Sequence, residues 1–248
     1  MKGTTMANSS TESVAIVTGA SRGYGYGIAK CLKAKGFTVW ITDINEGSLA
    51  KAAADLGVNR MKADVTSGKD WDALVEAVMK DGGRIDVLVN NAGGGGKIAP
   101  VEEQTDETID QNVVLTLSSV MYGCRRVAPV MKRQKSGTIV NISSICAREA
   151  WPGWAVYSAG KAAIVQFSKC LYTELREHRV RITTVIPSWG STGFNESAKL
   201  DAWSADIDQQ VIKPEELGDV VATIAALPSH LEMLDVTLLP LVQEIMPL

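Results

Sequence analysis

Residues 13–25 read SVAIVTGASRGYG, and the architecture follows from how this stretch folds. Residues 13–18 are small or β-branched and almost wholly apolar, the composition of a buried strand. They run directly into Gly19, Ala20, Ser21, Arg22, Gly23, Tyr24 and Gly25, and then into a helical pattern that reaches about Lys35 and is stopped by Gly36. Strand, glycine turn and helix amino terminus together make an anion site. The glycines let the backbone approach a pyrophosphate, while free amides and the helix dipole face it. A second strand at 37–42 ends in Asp43, where a carboxylate accepts hydrogen bonds from the ribose hydroxyls of an adenosine. In that context a glycine motif that would be weak evidence alone reads as a dinucleotide site.

The rest of the chain repeats the alternation. A helix at 48–56 precedes a short strand at 60–63, and a helix at 71–80 precedes a strand at 85–89. That strand leads into Asn90, Asn91, Ala92 and Gly93 and a run of four glycines, expected to be a mobile loop. A long helix is expected over 113–135, a fifth strand over 138–142, a helix over 161–178 and a sixth strand over 180–186. Pro214 opens a further helix from its first turn, and 236–239 is a seventh strand. Alternation of this kind predicts an α/β fold, a single doubly wound parallel sheet of about seven strands, preceded by a loose tail at 1–12.

Residues 138–161, TIVNISSICAREAWPGWAVYSAGK, hold the candidate chemistry. Ser143 and Ser144 fall at the carboxyl end of the fifth strand, facing the crevice where open α/β sheets bind ligands. Tyr157 and Lys161 are four apart on a helix and so share a face. A free tyrosine titrates near pH ~10. A neighbouring ammonium is expected to favour the phenolate and bring that value toward neutrality, as general acid–base catalysis requires. Ser144 is placed to donate to the same substrate oxygen.

Composition narrows the partners. The chain has 248 residues, 46% of them hydrophobic, enough for one sizeable core. A net charge of −3 without any concentration of Lys and Arg argues against a nucleic-acid surface. Cys31, Cys124, Cys146 and Cys170 are scattered without a CxxC pair, and the two histidines, His178 and His230, lie far apart, so neither a disulfide frame nor a metal site is expected. The amino-terminal residues carry no signal-peptide core and no apolar run approaches ~20 residues. These features place the protein in the cytoplasm, away from membranes.

Taken together, TGASRGYG (18–25), DV (64–65), NNAG (90–93), NISS (141–144), YSAGK (157–161) and Pro187 with Thr192 resemble the short-chain dehydrogenase/reductase family over residues 13–248. The resemblance implies a Rossmann-like domain in which Tyr157 is the acid/base, Lys161 lowers its pKa and binds the nicotinamide ribose, and Ser144 orients the carbonyl. It further implies that Gly19, Ser21, Arg22, Gly23, Tyr24 and Gly25 hold the pyrophosphate and adenosine side, with Asp43 and Ile44 at the ribose. Asp64 and Val65 would meet the adenine, and Asn91, Ala92 and Gly93 the middle of the cofactor. Pro187 and Thr192 would stand near the nicotinamide, Thr192 reaching the carboxamide or phosphate. Three departures stand out. Ser188 replaces the glycine usual after Pro187. The tail at 227–240 lacks paired glycines and resembles members acting on small hydroxy acids and polar aldehydes. Thr116 occupies the position of the family's active-site asparagine, with Asn112 one turn earlier.

The resulting expectation is an NAD-dependent oxidoreductase acting on a small, polar hydroxy or keto substrate. An NADPH-preferring ketoreductase and a non-catalytic dinucleotide sensor are the alternatives. Asp43 favours NAD over NADP, whereas Arg22 could pair with a 2′-phosphate. Arg148, Trp151, Trp154, Trp189 and Phe194 are candidate substrate residues, with Arg148 gripping an anionic group and a short lid near 191–212 above it. Alternatively the tryptophans pack a subunit interface, and Arg148 pairs with Glu149 or another surface carboxylate. Apolar residues on several sides of the long helices, among them Val120, Val127, Val130, Ile164, Phe167 and Leu171, together with the resemblance, suggest a homodimer or homotetramer.

Overall fold

The computed structural model describes residues 12–244, so the expected tail at 1–12 lies, apart from Glu12, outside the described residues. Seven strands form one parallel sheet: β1 (Val14–Thr18), β2 (Thr38–Asp43), β3 (Asn59–Lys62), β4 (Val87–Asn90), β5 (Gly137–Ile142), β6 (Val180–Pro187) and β7 (Asp235–Leu238). Their spatial order is β3-β2-β1-β4-β5-β6-β7. The chain therefore builds outward from β1 to β3, then returns past β1 to lay down β4 on its other side. The crevice between the carboxyl ends of β1 and β4 is the point where ligands bind in such sheets.

Helices cover both faces. They are α1 (Gly23–Ala34), α2 (Glu46–Leu56), α3 (Gly68–Gly82), α4 (Asp106–Val113), α5 (Ser119–Gln134), α6 (Ala155–Leu175), α7 (Phe194–Ser197), α8 (Ala205–Gln210) and α9 (Pro214–Ala225). Because successive strand residues point to opposite faces, Ala15, Val17, Val89 and Val140 pack with Ile28, Leu32, Leu49, Leu217 and Val221 on one side. Ile16, Leu88, Ile139 and Ile182 pack with Trp71, Leu74, Val127, Met131 and Ile164 on the other. On the first side α1 and α9 touch backbone to backbone: a side chain at Gly27 would meet the carbonyl oxygen of Pro214 at 2.2 Å, and one at Gly218 the carbonyl of Gly27 at 2.5 Å.

Several boundaries differ from the sequence reading for local reasons. Asn45 and Ser67 accept from the backbone amides of Ser48 and Asp70, capping α2 and α3 and starting both helices before their apolar periodicity begins. The long helix starts at Asp106 rather than near Val113, because Thr105 and Thr108 form a capping box. It is interrupted by a π turn at Val114–Ser118 before continuing as α5. Helix α6 begins at Ala155, so Tyr157 and Lys161 both lie within it.

Val120, Val127, Val130, Ile164 and Leu171 are buried within the single chain, whereas Phe167 is half-buried and Val113 and Met121 on the long helix are exposed. Among the described residues, no helix is long and apolar enough to cross a membrane.

Candidate active site

A cleft of about 940 Å³ runs along the carboxyl ends of the strands. Its floor is the glycine turn after β1. Gly19 and Gly23 have φ of +62° and +57°, a left-handed backbone suited to glycine. A side chain at Gly25 would meet the carbonyl oxygen of Gly19 at 2.2 Å. No side chain caps α1 at Arg22, so its first-turn amides remain free for an anion. The turn is pinned from β4. The amides of Asn91 and Ala92 both donate to Thr18 Oγ1 at 3.0 Å, and Asn91 Nδ2 donates to the carbonyls of Thr18 and Gly19 at 2.9 and 3.1 Å. Asn91 thus lines the cleft while spending its side-chain amide on shaping the turn.

Where the cleft passes the end of β2, Asp43 Oδ2 accepts from Ser21 Oγ at 2.7 Å and from its amide at 3.3 Å, while Oδ1 accepts from the amide of Asn45 at 3.2 Å. Those three donors fix the carboxylate at the cleft wall. Ile44 stands beside it, 63% exposed. Asp64 and Val65 form the facing wall, Asp64 Oδ1 accepting from the amide and hydroxyl of Thr66 at 2.8 and 2.7 Å. Arg22 does not turn toward Asp43: its guanidinium pairs with Glu196 of α7 at 3.0 Å. Tyr24 continues along the floor, its hydroxyl donating to the carbonyl of Ser188 at 3.3 Å, and burial raises its phenol above the ordinary value. Gly93, Pro187 and Thr192 complete the wall. Thr192 packs over Gly23, and its Oγ1 accepts from the amide of Phe194 at 3.2 Å.

Ser144, Tyr157 and Lys161 meet in the middle of the cleft. The end of β5 and the first turns of α6 are stitched together there, Ser143 Oγ donating to the carbonyl of Lys161 at 2.8 Å and Lys161 Nζ to the carbonyl of Ile142 at 3.0 Å. Lys161 Nζ lies 5.7 Å from the centre of the Tyr157 ring. Both side chains are nearly sealed, 5% and 7% exposed. The electrostatics correct the simple expectation of a lowered phenol. Burial pushes the Tyr157 phenol up, the Cys146 thiol adds to this, and the hydrogen bond with Ser144 works against it. Burial likewise pushes the Lys161 ammonium down to about 8. Without added polar partners, loss of water outweighs the mutual support of the pair.

Thr116 sits in the π turn, 1% exposed, with Oγ1 donating to the carbonyl of Asn112 at 2.7 Å. It presses on α6 next to Lys161: a side chain at Gly160 would meet Thr116 Oγ1 at 2.3 Å. Asn112 Nδ2 is committed to the carbonyl of Gly95 at 3.1 Å.

The end of the cleft beside Tyr157 is aromatic. Trp154 stacks on Phe194 at 6.1 Å between centroids, and both rings meet Tyr157, at 5.7 and 5.6 Å. Trp151 and Trp189 line the same space. Arg148 does not. The 3₁₀ turn at Ile145–Ala147 carries it away toward β7, where it donates to Thr237 Oγ1 at 2.9 Å and pairs with Asp235 at 3.5 Å. The expected anion anchor is therefore absent from the cleft, and the surface-pair alternative describes Arg148, with Asp235 as the carboxylate. Sequence reasoning missed Trp203, which packs on Trp189 at 4.8 Å, and Cys146 and Gln243 in the wall. Trp203 lay inside the expected lid segment. Gln243 gave no signal. Its Oε1 accepts from Ser188 Oγ and, at 3.4 Å, from the amide of Trp189, which gives the departure at Ser188 a partner in the carboxyl-terminal segment.

The comparisons with known proteins agree with this geometry. A family model described as short chain dehydrogenase matches residues 13–203. The chain is 36% identical over 220 residues to 2-(R)-hydroxypropyl-CoM dehydrogenase of Xanthobacter autotrophicus, covering 85% of this chain and 83% of that one. The closed form of serine dehydrogenase complexed with NADP+ superposes with a TM-score of 0.88 at 28% identity, covering 95% and 98% of the two chains. The 3-ketoacyl-(acyl-carrier-protein) reductase from Brucella melitensis, complexed with NADH, gives 0.84 at 28% identity, covering 92% and 97%.

Proposed function

Since the chain belongs to the short-chain dehydrogenase family, we propose that it is an NAD-dependent enzyme interconverting a small alcohol and its carbonyl compound. It is an oxidoreductase acting on CH–OH or keto groups with a nicotinamide dinucleotide. The bound dinucleotide supplies the hydride chemistry. The observation that carries the finer reading is the convergence of Ser144, Tyr157 and Lys161 in one cleft at the sheet's carboxyl edge. Tyr157 gives the proton to, or takes it from, the substrate oxygen. Ser144 orients that oxygen, and Lys161 holds positive charge against the phenol. Intact acid–base residues speak against a non-catalytic sensor, and turnover of any alcohol or ketone with NAD or NADP tests that directly.

Support for NAD comes from Asp43, whose carboxylate is held at the ribose end by three donors, and from Arg22, which is drawn off by Glu196. Asp43→Asn is expected to lower the ratio of kcat/KM with NAD to that with NADP by about tenfold, in line with loss of a charged hydrogen-bond acceptor. An unchanged ratio would remove Asp43 from cofactor choice.

Thr116 is proposed as an aid to proton exit beneath Lys161, at the helix distortion where the family's asparagine stands. Thr116→Val keeps the shape and removes the hydroxyl, and is expected to slow turnover by roughly tenfold with NAD affinity unchanged. Turnover equal to that of the unaltered protein from pH 6 to 10 would limit the catalytic set to Ser144, Tyr157 and Lys161. Family membership also makes a homodimer or homotetramer the expectation, so sedimentation should give a multiple of 26.5 kDa.

A further inference from the structure

Resting on the oxidoreductase reading, we infer that the substrate end of the cleft takes an alcohol or ketone bearing an ammonium group. Four of the chain's six tryptophans, Trp151, Trp154, Trp189 and Trp203, line this one cavity with Phe194. Two aromatic pairs result, Trp154 on Phe194 with planes 11° apart and Trp189 on Trp203 with planes 36° apart. The first pair touches the Tyr157 ring and so begins at the reacting centre. An aromatic face attracts a cation held within about 6 Å of its centroid, most strongly for tryptophan and most of all where water is excluded.

The charges point the same way. In the segment 191–212, Glu196 is paired with Arg22, and Asp208 with Lys213. Asp201 lines the cavity, and among the described residues its carboxylate has no ion pair. Asn195 Nδ2 donates to the backbone oxygen of Asp201 at 2.9 Å and holds this stretch together. Among the described residues only two cations line the cavity: Arg22, taken by Glu196, and Lys161, buried under Tyr157. An anionic substrate finds no free counter-charge at this end. An ammonium finds four indoles and, at the exposed rim, Asp201. The short reach from the Tyr157 ring to Trp154 and Phe194 places the cation one or two carbons from the carbinol carbon.

Two alcohols of matched shape test this, 1-(trimethylammonio)-2-propanol and 4,4-dimethyl-2-pentanol, which differ in nitrogen against carbon at the branch point. Each, on oxidation, loses a hydride to NAD+ and a proton toward Tyr157 and becomes the ketone. The cation is expected to show a kcat/KM at least about tenfold higher, with Asp201→Asn and Trp203→Leu each lowering that ratio several-fold. Equal rates, or preference for the neutral alcohol, would overturn the inference and leave the oxidoreductase reading standing. Should neither alcohol be oxidised with NAD or NADP, the choice of reaction is at fault, and binding decides the inference. Tetramethylammonium chloride should then quench tryptophan fluorescence saturably, beyond sodium chloride at equal concentration, and less in Asp201→Asn. No saturable quenching would overturn it.

Discussion

Lys161→Met is expected to lower kcat by at least about a hundredfold, the lower range for loss of acid–base function, and yet to make the protein harder to unfold at pH 7. The two effects share one cause. Burial drives the Lys161 ammonium down to about 8 from an ordinary 10.5, so at pH 7 folding must carry a charge that the sealed site disfavours, a cost of about 3 kcal/mol. Methionine fills similar volume without charge. It forfeits the hydrogen bond to the carbonyl of Ile142, a smaller loss of about 1 kcal/mol or a little more, so the balance favours the variant. The sign follows from the depressed folded value. The unfolded chain binds the extra proton between about 8 and 10.5, so the penalty is complete below about pH 8 and gone above about 10.5. The stability gap between the two proteins should therefore close as pH rises through that window, measured by denaturant unfolding. A variant less stable than the parent at pH 7 would show that the ammonium is better compensated than its burial implies.

Gly25→Ala is expected to weaken NAD affinity by about a hundredfold, the scale of losing one or two hydrogen bonds to a charged group. A methyl group there would lie 2.2 Å from the carbonyl oxygen of Gly19, 2.6 Å from Asn91 Nδ2 and 2.8 Å from Ala20 Cα. Two of these atoms are backbone, so the turn itself must shift. That turn presents the amides of α1, and moving it also breaks the Asn91 contacts that hold β1 against the β4 loop. Gly47→Ala is the companion measurement. Its added carbon would meet nothing closer than Asn45 Oδ1 at 3.6 Å, inside α2 where alanine is preferred over glycine. Calorimetric titration with NAD should find Gly47→Ala unchanged. Parent-like affinity in Gly25→Ala would mean that the turn is plastic and the crowding at Gly25 immaterial.

The strands were legible because a parallel sheet covered on both faces favours near-continuous runs of apolar and β-branched residues, and 13–18, 138–142 and 180–186 come close to this. Tyr157, Lys161 and Ser144 were legible for a related reason: their spacing maps onto a helix and a strand end, where geometry follows from sequence separation. Arg148 was not. It follows a 3₁₀ turn, and the exit direction of such a turn depends on what it packs against, here β7, almost ninety positions later in the chain. The start of α4 was hidden because that helix buries only Asn112, leaving its polar cap as the one local signal. The pull of burial on Tyr157 and Lys161 was equally out of reach, since four-residue spacing reports proximity and says nothing of solvent. Gln243 acts through Ser188 across 55 positions, and no local pattern announces such a contact.

The aromatic wall and the acid–base set differ in where they are anchored. Tyr157 and Lys161 are sealed between β5 and α6, whereas Trp151, Trp154, Trp203 and Phe194 are half-buried and come from the loop at 148–154 and the segment at 191–212. Trp151, Trp154 and Phe194 pack on the small cluster around Tyr157, apart from the two main cores, so exchanging one of them leaves those cores in place. Substitution at these positions is therefore expected to change the substrate with little penalty in folding, while β5 and α6 are expected to tolerate little change. In a gene library, tolerance should be high at 151, 154, 194 and 203 and nearly nil at 157 and 161. One ancestral cofactor-binding body could in this way diversify by exchanging only its rim.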